Sequence, residues 1–201
     1  MKQYVFYMAL GFMLGGLMFS QWLPRMFTGT DIRALSGDGN PGAFNVFRHC
    51  GAALGLLCLS LDMLKGLIPV YIALGRLDAG SALFAPVMAA PVLGHALSPF
   101  ERGGGGKCIS TSFGVVFALM PYSRVGLILA ALYVFFSTVV KIEPHSRRSI
   151  LVFSLFGCIS AALLTARGWP SAALGCIIIS AAAVIRHMRS REKQSTGRRT
   201  A

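Results

Sequence analysis

"YVFYMALGFMLGGLMFSQWL", Tyr4 to Leu23, runs for 20 residues without a charged side chain. At about 1.5 Å rise per residue, a helix of that length crosses the roughly 30 Å hydrocarbon layer of a bilayer. Lys2 precedes it, as in a secretory leader, but no small-x-small cleavage site precedes Gln21-Trp22-Leu23-Pro24. The run reads as an uncleaved first transmembrane helix.

The whole chain agrees. Of 201 residues 55% are hydrophobic and 13% charged, against roughly a quarter charged in soluble domains. Six further apolar runs follow: Cys50 to Ala73, Ala79 to Leu97, Cys108 to Tyr122, Val125 to Val140, Ser149 to Ala166 and Trp169 to Ile185. The expectation is an all-α polytopic bundle of seven transmembrane helices forming a single domain over residues 1–201. The fourth and fifth runs are short for full crossings, which leaves six or five as the alternatives.

The net charge of +12 points to where the cations lie. Fourteen of the 19 Lys and Arg residues follow the first, third, fifth and seventh runs, against Lys2, Arg76, Arg124 and Arg167 on the other side and Lys65 within a run. Basic loops stay in the cytoplasm, so the amino terminus is expected outside and a basic tail from about residue 186 inside. A soluble basic face with interleaved aromatics is missing, which argues against nucleic acid as a partner. The five cysteines form no C-x-x-C pair and lie mostly in apolar runs, so they read as buried small hydrophobes; no metal and no cofactor is expected.

Two loops on the expected cytoplasmic side carry chemistry. The first holds Gly37, Asp38, Gly39, Asn40, Gly42, Asn45 and Arg48, with glycines suited to positive φ and to close approach of an oxyanion to peptide N–H groups. A hydrophilic turn is the other reading. The second, "GHALSPFERGGGGKCIST" from Gly94 to Thr111, sets four glycines and Lys107 before an apolar helix, an arrangement suited to phosphate. A flexible linker is its alternative. It is not a Walker A loop, because Glu101 and Cys108 stand where Gly and Ser or Thr are needed.

Asp62 and Lys65, three residues apart on one face of the second run, are expected to pair or to face a wet cavity. His95 and His187 lie at run ends on the side of the glycine loops, whereas His49 and His145 read as ordinary interface residues. No histidine is followed at the proper distance by Asp in the H-x-x-x-x-D pattern, and Gly-x-Ser-x-Gly is missing as well.

In this order the pieces resemble the bacterial acyl-phosphate:glycerol-3-phosphate acyltransferases. The family's G-S-G-N-x-G-A-T-N-x-x-R and D-x-x-K-G-x-x-P-V correspond to "GDGNPGAFNVFR" (Gly37 to Arg48) and "DMLKGLIPV" (Asp62 to Val70). Its G-H and G-G-K-G-V-A-T correspond to Gly94-His95 and "GGKCIST", and His187 matches the start of a late H-x-x-N-I.

The resemblance implies a multi-pass enzyme of the bacterial cytoplasmic membrane, its site at the cytoplasmic leaflet, moving an acyl group from acyl phosphate to glycerol 3-phosphate to give lysophosphatidic acid. Acyl phosphate is already activated, so holding two anions in line and stabilising the oxyanion suffices. Asp38, Asn40, Asn45, Arg48 and His187 are the expected catalytic residues. Gly37, Gly39, Gly42, His95, Gly104, Gly105, Gly106, Lys107 and Thr111 are expected to bind substrate and phosphate. Asp38, Phe44, Cys108 and Ser190 replace the family's Ser, Thr, Gly and Asn, and Arg199 stands at a late Glu position. Two other readings are a related acyltransferase with a different acceptor, and a non-catalytic membrane protein that binds anionic lipid or phosphate, with the basic tail against the leaflet. A transporter is disfavoured, since the two halves show no self-similarity.

Overall fold

Helix α1 (Lys2–Gly16) stops at the Gly15-Gly16 pair, and Leu17 leaves it in an extended conformation. Glycine is a poor helix former, and here the break has a further support: the freed Leu17 carbonyl accepts a hydrogen bond from the Lys65 ammonium. Helix α2 (Phe19–Thr28) resumes the same direction of chain, and the two together form one apolar segment of 27 residues. The first run is therefore two helices with a junction rather than one rod. The computed structural model describes residues 1–37, 39–101 and 104–197, all-helical among them.

Two short helices interrupt what the sequence suggested was a plain loop. Asp31 caps α3 (Ile32–Leu35), its carboxylate accepting the Arg33 backbone N–H at 3.0 Å. Helix α4 (Ala43–Cys50) ends at Gly51, with φ +89°. Helix α4 lies on α5 (Ala52–Leu74), and α3 packs on α2 and α4, around a small core of Ile32, Ala43, Val46 and Cys58. That core fixes the polar stretch between them.

The rest of the chain is α6 (Phe84–Leu97), α7 (Ile109–Ala118), α8 (Val125–Thr138), α9 (His145–Ala166) and α10 (Pro170–Gly197). By length and composition four segments are able to cross a membrane: Lys2–Thr28, Ala52–Leu74, His145–Ala166 and Pro170–Glu192. Helices α6, α7 and α8 are shorter; the ten residues of α7 rise only about 15 Å. The expected third and fourth crossings thus lose their ends to turns, over residues 79–83 and 119–122.

Helices α9 and α10, α1 and α6, and α5 and α7 pack as close pairs, with α10 also against α6. The α5–α7 contact needs glycine: a Cβ on Gly114 would stand 1.9 Å from the Met63 carbonyl oxygen, and one on Gly66 2.4 Å from that of Thr111. Phe84, Met88, Leu119, Phe153, Phe156 and Ile179 fill the core. Outward, Leu56, Ile68, Val134 and Ile177 are exposed, as a lipid-facing surface requires. The end of α6, the start of α7, the start of α9 and the late part of α10 meet α4 at one end of the bundle, and the site forms there.

Candidate active site

A cavity of about 260 Å³ opens at this end. Asn40, Gly42, Ala43, Phe44 and Phe47 line it from the first polar stretch, Leu59 and Asp62 from α5, and His95 from α6. Lys107, Cys108, Ile109 and Ser110 come from the second loop and the start of α7, and His145 from the start of α9. Residues from both sequence motifs therefore face one space.

Asp62 and Lys65 form the expected pair, 2.7 Å apart and almost wholly buried. Ser20 donates to the other carboxylate oxygen at 2.6 Å, and Lys65 also donates to Leu17 at the helix junction. Because every partner lies within the chain, the pair is neutral as a unit and need not repel an anion. It also ties α1, α2 and α5 together beneath the cavity.

The glycine loop is held in an unexpected way. Gly104 donates its N–H to the Glu101 carbonyl at 3.0 Å, and Gly106 to the His95 carbonyl at 3.1 Å. Two of the amides expected to meet phosphate are thus spent inside the loop, which corrects the simple picture of a row of free donors.

The loop's carbonyls are engaged from the other side. Arg33 donates to Gly104, while Arg186 donates to Gly105 and, through Nε at 3.0 Å, to Gly106. Two guanidinium groups thus hold three successive carbonyl dipoles. Glycine is required here by contact: a Cβ on Gly105 would lie 1.9 Å from the His95 oxygen, and one on Gly106 2.3 Å from His95 Nε2. The loop approaches the His95 ring at Gly106 and leads into Lys107, which lines the cavity with His95.

Arg33 also reaches the Gly39 carbonyl at 3.4 Å, so one side chain bridges both polar stretches. Burial pulls its guanidinium below the ordinary value, partly offset by Glu101 and Asp31. Asp31 holds the preceding turn, accepting from Arg25 at 2.6 Å and Gln21 at 2.8 Å. Those two hydrogen bonds, that of Arg25 foremost, hold its carboxyl well below the usual carboxylate range. Trp22 Nε1 donates to Glu101 at 2.5 Å and fastens the second stretch to α2.

The expected residues divide accordingly. Asn40, Gly42, His95 and Lys107 line the cavity. Asn45 does not; its amide donates to the Asn40 carbonyl at 2.9 Å and braces the turn. Of the glycines expected at positive φ, Gly39 has φ +65° but Gly42 is extended, and its lack of a Cβ makes room for the Asn40 amide. Gly37 is exposed. Arg48 stands exposed in the last turn of α4, not at a helix start, and Thr111 is buried in the α5–α7 contact. Asp38 lies outside the described residues.

His187 is fully buried, its ring edge-on to that of His145 at 5.6 Å between centroids. His145, read from sequence as an interface residue, lines the cavity and lies 6.3 Å from the Phe44 ring. Sequence reasoning passed over Arg186 and His145 and, although Arg33 stands in the first polar loop, gave it no role. Only their basic character and their place near run ends signalled them.

The profile of the family described as glycerol-3-phosphate acyltransferase matches residues 5–196. A glycerol-3-phosphate acyltransferase of Syntrophomonas wolfei is 35% identical over 90% of this chain and 88% of its own. The fold is similar to the crystal structure of PlsY, an integral membrane glycerol 3-phosphate acyltransferase, in its glycerol 3-phosphate form, with a TM-score of 0.81 and 30% identity over 98% of this chain and 94% of that one. Its lysophosphatidic acid form gives a TM-score of 0.79 and 29% identity, covering 98% and 93%.

Proposed function

Because this chain belongs to the glycerol-3-phosphate acyltransferase family, we propose that it transfers a fatty acyl group from acyl phosphate to glycerol 3-phosphate, giving lysophosphatidic acid and inorganic phosphate in phospholipid synthesis. One observation carries the reading: Asn40, His95 and Lys107, drawn from both polar stretches, line a single cavity. In the reaction the acceptor hydroxyl attacks the acyl carbonyl, the carbonyl–phosphate oxygen bond breaks, and phosphate leaves with the electron pair. The hydroxyl proton passes to a base at the site, the role assigned to Asp38.

Lys107 supplies the fixed positive charge for phosphate and for the developing oxyanion. Asn40 orients the substrates by hydrogen bonding, with Asn45 holding Asn40 in place. Arg48 meets the acceptor phosphate as it enters from solvent. Gly37, Gly39 and Gly42 let the first stretch approach a phosphate, and Gly104 to Gly106 set the position of Lys107. His95 is the floor of the site and His187 positions His145, while Thr111 fixes the start of α7.

Seven crossings, with the amino terminus outside, put the cavity at the cytoplasmic face of a bacterial inner membrane; the distribution of Lys and Arg supports that orientation. The chain acts as one domain, its acyl substrate entering from the bilayer and its basic end lying against the leaflet. The test is phosphate release by purified protein given acyl phosphate and glycerol 3-phosphate, beside Asp38→Ser and Asp38→Ala. Turnover dependent on both substrates and lost in Asp38→Ala supports the reading. Background release alone, with a family enzyme active in parallel, defeats it.

A further inference from the structure

Helices α7 and α9 both leave the active-site cavity, from Ile109 and His145. Their far ends, residues 119–124 and 167–169, therefore meet at the opposite end of the bundle. The Tyr122 and Trp169 rings contact there at 6.0 Å, and Trp169 Nε1 donates to the Ala79 carbonyl at 2.8 Å. Tyr and Trp favour the membrane–water boundary.

Two cavities join at this end. One of about 400 Å³ is lined by Met120, Pro121 and Tyr122, the other of about 260 Å³ by Leu127, Ile128, Ala131 and Leu163, and Ser123, Arg124 and Arg167 line both. The first is a pocket at the boundary, and the second an apolar groove between α8 and α9. Its walls are open to lipid, since Leu127 and Leu163 are exposed. Neither arginine forms an ion pair among the described residues. Ser123 is 4% exposed.

Two guanidinium groups on one pocket repel each other until an anion lies between them, and guanidinium forks suit phosphate oxygens. A free phosphate uses only the pocket. An anionic phospholipid uses both cavities: charge in the pocket, chain in the groove. We propose that Arg124, Arg167 and Ser123 form a binding site for an anionic phospholipid, its phosphate between the arginines and one acyl chain along α8 and α9. The proposal does not depend on the acyltransferase reading. Two of the four cations expected on this side converge here, which solvent exposure of each alone does not require.

The full chain in neutral detergent, titrated with phosphatidylglycerol or phosphatidylcholine, is analysed by native mass spectrometry for lipid retained. At about 1 kcal/mol per basic residue near a lipid surface, the Arg124→Ala, Arg167→Ala double variant should bind phosphatidylglycerol roughly 30-fold more weakly. Ala131→Trp, which fills the groove with both arginines in place, should weaken it as well. Lys2→Ala with Arg76→Ala, the other two cations expected on this side, should leave it unchanged, as should phosphate at millimolar concentration. Equal retention by the double variant overturns the site. Displacement by inorganic phosphate, or indifference to Ala131→Trp, overturns the lipid and leaves a small-anion pocket. Melting temperatures matching the parent protein exclude misfolding as the cause.

Discussion

Removing the guanidinium of Arg186 tests whether the glycine loop is held from behind. In Arg186→Met the side-chain volume remains but the hydrogen bonds to the Gly105 and Gly106 carbonyls go. Bonds to a charged group are worth about 1.5–3 kcal/mol each, and water replaces part of that at the end of the bundle. A net loss of about 3 kcal/mol for the pair lowers the fraction of loops in the working geometry by roughly 150-fold. Phosphate release should therefore show kcat/KM about 100-fold down, with melting within a few degrees of the parent because the helical core is untouched. Arg186→Lys restores one donor and should recover about tenfold. Unchanged kcat/KM in Arg186→Met would refute the argument; so would a loss matched by unfolding at the assay temperature.

Three more outcomes follow from the geometry. Lys65→Met leaves the Asp62 carboxylate buried without its cation and should cost about 3–5 kcal/mol in thermal or denaturant unfolding, whereas Asp62→Leu with Lys65→Met should recover most of it. Gly105→Ala puts a methyl against two backbone oxygens that cannot give way, so turnover should fall well over tenfold while glycerol 3-phosphate analogues still bind weakly by calorimetry. Asp31→Asn removes a carboxylate whose folded pKa is depressed by Arg25 and Gln21. A depressed pKa adds stability above the unfolded value of about 4 and loses it as pH falls through the folded one. The melting gap between parent and Asp31→Asn should stay constant from neutral pH down to about 4 and narrow below it.

The crossing helices were legible because hydrophobic runs of membrane length are a strong signal, and the Asp62–Lys65 pair because three residues place two side chains on one helix face. The helix break at Leu17 was not. Its glycines are ordinary in membrane helices, and its stabiliser, Lys65, lies 48 positions away. Helices α3 and α4 escaped for another reason: four and eight residues are too few for a period to declare itself, and tertiary contact, of α4 with α5 and of α3 with α2 and α4, makes them. In the site, Lys107 and Asn40 stand in motifs that the family resemblance marks, and both line the cavity. Arg33 and Arg186 could not be found that way, because they act across 71 and 81 positions on backbone carbonyls, which carry no residue-specific mark. His145 was misjudged because the polar residues beside it, Glu143, Ser146, Arg147 and Arg148, form no motif with it; its neighbours at the cavity come from α4 and α10.

The two arginines behind the glycine loop also set a schedule. Arg33 follows the first apolar segment, but Arg186 sits in α10 and leaves the ribosome only well after both motif loops have been made. Until α10 has entered the bilayer and packed on α6 and α9, the Gly105 and Gly106 carbonyls lack the Arg186 guanidinium. A nascent chain with both motif loops already in place therefore lacks that hold and stays about 100-fold below full competence, which arrives when α10 packs.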